Sequence, residues 1–302
     1  MSLIKTILFA TISIILIGAA IAPICIDYGE DDDLYVVVLA GQSNAAYRFA
    51  DVTLVNTDVS APSQDCYYYG TSTSPVLYET YSSEVDYKIY SMYEDGWKIG
   101  NIEPTLAKYL GDITGHNVLV INCGVSGASI SQLVPGATYN DWTTTIITDA
   151  LGEIEGHYKK LGFVWVQGEA DTNMAESTYI DYFDDMLSYY EGLGFKESFI
   201  IQTKGINSRY AQQEIVRTHD NVHMATDVTK DFSIYNGMIN VDDTVHYTQA
   251  ADNIIGKLTG EYMGDFFKTP DLPGKGIVRA IPVIMIIAIV VGVCAAILRP
   301  RD

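Results

Sequence analysis

Leu34-Tyr-Val-Val-Val-Leu-Ala40 runs for the length of a strand with no charged residue and no polar alternation. A strand with one wet face alternates apolar and polar residues. A run apolar on both faces belongs inside a parallel sheet covered by helices. Similar runs recur at Asn117 to Cys123, Gly162 to Val166, Ser198 to Thr203 and Asn221 to Thr226. Helical patterns separate them: Glu103 to Gly111, Thr143 to Lys160, Ala175 to Gly192, Ile206 to Thr218 and Thr248 to Phe267. Pro104 sits in the first turn of the earliest, where its missing N–H costs nothing. Strand and helix alternate, so the expected class is α/β, a three-layer α/β/α sandwich around a five-stranded parallel sheet. Ligands bind such sheets beyond the carboxyl ends of the strands, so the residues of any site should come from there.

One segment breaks the alternation. Ala46 to Trp97 is rich in Tyr, Ser, Thr and Asp and shows no clear helix. Two readings stand: a binding loop or lid whose tyrosine rings stack on sugar faces, or a small β-excursion packed on the domain edge.

Both ends are apolar. Lys5 precedes a run from Ile7 to Ile26, the pattern of an export signal, so residues 1–26 read as a signal peptide or an uncleaved N-terminal membrane anchor. Residues 27–33 form an acidic linker, and 34–268 form the globular domain carrying the 46–97 insertion. A linker over 269–276 leads to a transmembrane helix over 277–298, and 299–302 is a basic tail expected on the cytoplasmic side. The domain is therefore expected on the extracytoplasmic face of a cell membrane. A formal net charge of −20 argues against nucleic acid as a partner, because phosphates would be repelled. Only Cys66 and Cys123 lie in the domain, and a disulfide between them is open.

Four short blocks carry chemistry. Gly41-Gln42-Ser43-Asn44 follows the first strand directly, where a sharp turn exposes a serine hydroxyl and frees its N–H. Asn122-Cys-Gly124-Val-Ser-Gly127 ends the second strand, and either glycine could offer an N–H to an oxyanion. Trp165-Val-Gln167-Gly-Glu169-Ala-Asp171 ends the third, and a glutamine amide is a further donor type. Asp243-Thr-Val-His246 precedes the last helix. An acid three residues before a histidine can hold its Nδ1–H and leave Nε2 to take a serine proton.

These blocks resemble the SGNH/GDSL hydrolase superfamily, and within it the carbohydrate esterases similar to sialate O-acetylesterase. The likeness spans Leu34 to about Phe267. It rests on Gly-Gln-Ser-Asn after the first strand, Gln-Gly-Glu-Ala-Asp after the third and Asp-x-x-His before the last helix. The resemblance implies a flavodoxin-like sandwich and a serine esterase that removes O-acetyl groups from sugars of an exposed glycan. It makes Ser43 the nucleophile, His246 the general base and Asp243 its orienter. Ser43, Gly127 and Gln167 become the oxyanion donors, with Gly124 as a rival to Gly127. Gln42, Asn44 and Glu169 become supports of the site. Loss of Gln167 should then lower turnover by roughly a hundred- to a thousand-fold. The substrate partner is an O-acylated carbohydrate, and neither metal nor cofactor is needed.

Other readings fit less well. The α/β-hydrolase elbow follows several strands and separates its acid from its histidine, unlike Asp243 and His246. A zinc site on His219 and His223 lacks a placed third ligand. Glu169 and Asp171, as a glycosidase pair, sit on alternate positions that diverge. A binding or adhesion protein of a cell or virion surface, silent on a hydrolase scaffold, would have no need of the complete set Ser43, Asp243, His246 and Gln167.

Overall fold

A computed structural model describes residues 34–46, 52–76, 78 and 81–268. The expected signal or anchor, the acidic linker over 27–33 and the transmembrane run over 277–298 lie outside the described residues. Among the described residues, no helix is long and apolar enough to cross a membrane.

The chain order is β1 (Leu34–Gly41), α1 (Val52–Asp58), β2 (Cys66–Thr71), β3 (Ser74–Pro75), β4 (Lys88–Ser91), α2 (Glu103–Thr114) and β5 (Asn117–Gly124). It continues with α3 (Asn140–Gly152), β6 (Tyr158–Val166), α4 (Glu176–Gly192), β7 (Glu197–Ile201), α5 (Ile206–Thr218), β8 (Val222–Thr226) and α6 (Gln249–Phe267). The five expected strands are β1, β5, β6, β7 and β8, joined in parallel in the order β5-β1-β6-β7-β8. The sheet is larger than expected, eight-stranded and mixed. β2 joins β5 in parallel, and β3 and β4 pair antiparallel with β2. All three come from the tyrosine-rich segment, whose short, polar-flanked runs carry no strong strand pattern.

β1 shows why the class was readable. Val37 and Leu39 point into one apolar cluster with Leu106 and Leu110 of α2 and Ile255 of α6. Val36 and Val38 point into another with Ile146 of α3, Phe183 of α4 and Ile215 of α5. A central strand covered on both faces must be apolar at every position, and the three layers follow.

The tyrosine-rich segment is the β-excursion. Tyr68 is wholly buried, stacks on Tyr90 at 5.9 Å and donates its hydroxyl to Thr71 O at 2.6 Å. The segment also holds a helix, α1, which sequence patterning did not suggest. The expected helix over 143–160 is shorter at its C-terminal end. α3 stops at Gly152, and after Gly156, at φ 92°, the chain re-enters as β6 at Tyr158. Cys66 and Cys123 are free and face different apolar clusters, on opposite sides of the sheet. Cys66 pairs with Val118, so it also stands about 16 Å along β5 from Cys123 at ordinary strand rise. Burial pushes the Cys66 thiol up to about 12, as expected of an inert core cysteine.

Candidate active site

Parallel register assembles three of the four blocks. Gly41 at the end of β1 pairs with Gly124 at the end of β5 on one side and Val166 at the end of β6 on the other. The chain segments after these strands therefore start side by side at the carboxyl edge of the sheet. Gly41 is obligatory there. Its φ is 140°, and a Cβ on it would stand 2.0 Å from Val166 O. That closeness lets Gln42 N donate to Val166 O at 2.9 Å, and the turn through Ser43 closes with Ala45 N on Gln42 O at 2.8 Å.

The fourth block arrives from the far end of the domain. His246 Nε2 lies 2.7 Å from Ser43 Oγ, and its Nδ1 bonds Asp243 Oδ2. Asp243 Oδ1 accepts the backbone N–H of Val245 at 2.9 Å and of His246 at 3.3 Å. Burial pushes the Asp243 carboxyl up, but the Val245 N–H and the His246 imidazole outweigh it and hold the group below its ordinary value. The acid is thus a carboxylate at neutral pH and keeps its proton acceptor aimed at Nδ1.

Asn44 ties this block to the third. Its Nδ2 donates to Glu169 Oε1 at 3.0 Å, and its Oδ1 accepts Tyr247 N at 3.3 Å. Tyr247 also donates its hydroxyl to Glu169 Oε1 at 3.2 Å. Burial raises the Glu169 carboxyl above its ordinary value, against the hydrogen bonds of Asn44 and Tyr247. Gln42 and Glu169 both tie the turn to the third block, the first by accepting the backbone N–H groups of Gly168 and Ala170 and the second by accepting Asn44 Nδ2.

A cavity of about 460 Å³ opens beside the serine, lined by Gln42, Ser43, Ser126, Gly127, Glu169 and His246 among others. Gly127 enters it at φ 70°. Gly124 does not compete: its N–H is held by Asn122 Oδ1 at 2.8 Å.

Gln167 is the expected donor that the structure removes from the site. It is wholly buried and does not line the cavity. Its Nε2 donates to Ala128 O at 3.2 Å and to Asp171 Oδ2, and its Oε1 accepts from Tyr179 OH at 2.9 Å. Both amide hydrogens are spent, because the side chain leaves β6 on the face covered by α4. Asp171, in turn, accepts Ile130 N at 2.7 Å and Ser129 Oγ at 2.6 Å, so it diverges from Glu169. His219 and His223 face separate carboxylates, Asp184 at 3.2 Å and Glu197 at 2.9 Å.

Glu103 was not anticipated. It is wholly buried beneath the turn, and its Oε1 accepts Asn122 Nδ2 at 2.7 Å and Asn101 Nδ2 at 2.9 Å. Asn122 Nδ2 also donates to Ala45 O at 2.9 Å. In the sequence, Glu103 reads as an ordinary acid in a first helical turn, and nothing marks it as buried.

Residues 33–264 match the profile of a family described as carbohydrate esterase, sialic acid-specific acetylesterase. A protein of Arabidopsis thaliana superposes with a TM-score of 0.51 at 15% identity, over 77% of this chain and 98% of its own. A carbohydrate acetylesterase from Xanthomonas citri superposes with a TM-score of 0.51 at 14% identity, over 76% of this chain and 57% of its own. Comparison with curated proteins returns no match. At such identities the two superpositions speak for a shared fold.

Proposed function

This chain belongs to the sialic acid-specific acetylesterase family of carbohydrate esterases and is a carboxylic ester hydrolase, and from that premise we propose that it removes O-acetyl groups from sugars of an exposed glycan by a Ser43–His246–Asp243 mechanism. The observation that carries the proposal is His246 Nε2 at 2.7 Å from Ser43 Oγ, at the wall of a cavity that can admit an ester.

Nε2 accepts the hydroxyl proton as Oγ bonds to the acetyl carbonyl carbon. The carbonyl π electrons move to oxygen, and the N–H groups of Ser43 and Gly127 stabilise that oxyanion. Collapse restores the carbonyl, breaks the bond to the sugar oxygen, and that oxygen takes the proton from Nε2. Water then attacks the acetyl-Ser43 ester, giving its proton to Nε2. Acetate leaves, and Oγ recovers a proton from the same imidazole. Asp243 holds Nδ1–H throughout and stabilises the imidazolium that forms twice.

The apolar runs over 7–26 and 277–298 and the basic tail support an extracytoplasmic domain held at a cell membrane. That placement agrees with a substrate carried on an exposed glycan.

The test is acetate release by the full chain in detergent, beside Ser43→Ala, from 4-nitrophenyl acetate and from an O-acetylated sialic acid. Turnover that vanishes in the variant is expected. Equal turnover in both would remove Ser43 from the mechanism. Release from the nitrophenyl ester alone would remove the sugar.

A further inference from the structure

The cavity beside Ser43 holds a side-chain amide with its donor end uncommitted. Gln42 is 3% exposed, and its Oε1 accepts two backbone N–H groups, Gly168 at 3.1 Å and Ala170 at 3.0 Å. Two donors on one oxygen decide which end of the amide is which. Turned over, the NH2 group would face two N–H groups with no acceptor between them. Nε2 therefore points away from the 168–170 loop. Among the described residues it meets no acceptor in hydrogen-bond range. Nor is it one of the described polar atoms sealed from solvent without a partner. It is reachable from outside, and the opening that Gln42 lines is the cavity shared with Ser43, Gly127 and His246.

A largely buried N–H2 without an acceptor is unfavourable until something supplies one. The atom that develops negative charge in this cavity is the former carbonyl oxygen of the ester. Gln167, the glutamine that the motif brings forward, cannot answer it, since its two amide hydrogens go to Ala128 O and Asp171 Oδ2.

We infer that Gln42 Nε2 is the side-chain donor of the oxyanion site, acting beside the N–H groups of Ser43 and Gly127. This rests on the esterase reading above. The nucleophile's own neighbour then has two tasks. Its oxygen clamps the 168–170 loop, and its nitrogen stabilises the charge that forms when Ser43 attacks. Preorganised donors of this kind act on turnover more than on substrate binding.

Two variants separate the tasks. Gln42→Ala loses both clamp and donor. Gln42→Glu keeps an acceptor for Gly168 and Ala170 and loses only the donor. Kinetics on 4-nitrophenyl acetate are measured with the full chain in detergent, with Ser43→Ala as the blank. For Gln42→Ala, kcat is expected to fall by about a hundred- to a thousand-fold, with KM changed little. Gln42→Glu is expected to fall at least as far at pH 8. Its activity relative to wild type should climb as the pH is lowered, because a protonated Glu again offers a hydrogen. The Gln42→Ala ratio should stay flat. Glu169 and His246 are the titratable side chains sharing the cavity, and the neutral Gln42→Ala variant shows how far their own titration moves the ratio. If Gln42→Ala fails to fold, the Glu variant alone decides. Wild-type kcat in Gln42→Glu at pH 8, a loss confined to KM, or a Glu ratio flat with pH would each overturn the inference while leaving Ser43 catalysis standing. A wild-type chain no more active than Ser43→Ala would overturn the esterase reading and this inference together.

Discussion

Asn122 Nδ2 donates to Glu103 Oε1 at 2.7 Å directly beneath the turn that carries Ser43. The same Nδ2 holds Ala45 O, and Asn122 Oδ1 holds Gly124 N, so this amide joins the Ser43 turn to the second block. On the other side of Glu103, Asn101 is gripped by Gln249. Its N–H donates to Gln249 Oε1 at 2.7 Å and its O accepts Gln249 Nε2 at 3.0 Å. Gln249 starts α6, three residues after His246. One buried carboxyl therefore braces serine and histidine against each other. Glu103→Leu should leave the Asn101 amide unpaired and cost about 1–3 kcal/mol of stability. It should also lower kcat, as the distance between Ser43 and His246 loosens. Glu103→Gln keeps an acceptor in place of Oε1 and should restore kcat. Denaturant melts beside steady-state kinetics would check both, and a Glu103→Gln protein as impaired as Glu103→Leu would defeat the bracing role.

Glu103 and Asp252 also set a pH dependence of stability. Burial raises Glu103 from 4.5 to about 7, against the pull of Asn101 and Asn122, and raises Asp252 from 3.8 to about 8. Between those limits the unfolded chain has ionised while the folded chain still holds both protons. The native state then binds more protons, so stability falls as pH rises from about 4 towards 8 and levels off above. Glu103 alone accounts for roughly 3 kcal/mol of that fall. Melting temperatures across pH 4 to 9 should decline, and the decline should flatten in Glu103→Gln with Asp252→Asn. A wild-type profile that rises over this range would contradict it.

The sheet's centre was legible because residues such as Val36 to Leu39 are buried on both faces, which leaves an unbroken apolar run. Ser43, His246 and Asp243, which the structure brings together, stood out in the sequence because the chemistry proposed for them needs rare neighbours in a fixed order. What escaped depends on direction more than on identity. Gln42 and Gln167 are the same residue type at neighbouring strand ends, and sequence cannot say which aims at the cavity. The pleat decides it by sending Gln167 to the face under α4. β2 to β4 escaped because these short strands are held by their neighbours, β2 by β5 and β3 and β4 by β2, and not by patterns of their own.

Gln167 is expected to matter for folding and not for transition-state binding. Its removal takes one partner each from Asp171 Oδ2, which keeps Ile130 N, and from Tyr179 OH, which keeps the backbone O of residue 167, and it takes the side-chain donor from Ala128 O. Gln167→Ala should therefore lose about 2–4 kcal/mol of stability through cavity and unpaired polar groups. At a temperature where the variant is folded, kcat should stay within about tenfold of wild type, against the hundred-fold or greater loss expected of an oxyanion donor. Measuring the two quantities on one preparation distinguishes the roles. An intact melting temperature with collapsed turnover would return Gln167 to the oxyanion site.

Asp243 gives the sharpest expectation, because its two oxygens have different partners. Oδ1 accepts two backbone N–H groups, Val245 and His246, and Oδ2 faces the imidazole Nδ1. In Asp243→Asn the amide oxygen must keep the backbone side, since an NH2 group there would meet two donors. The new NH2 therefore faces Nδ1, which must become an acceptor. The imidazole proton then moves to Nε2, the atom 2.7 Å from Ser43 Oγ. His246 would present a hydrogen to the serine where it has to remove one. The turn keeps its backbone bonds, so stability should change by less than about 1 kcal/mol, while kcat should fall by roughly ten-thousand-fold. Nitrogen chemical shifts of the labelled imidazole would report the tautomer directly. A variant that keeps the Nδ1–H tautomer and loses no activity would show that Asp243 does not orient the base.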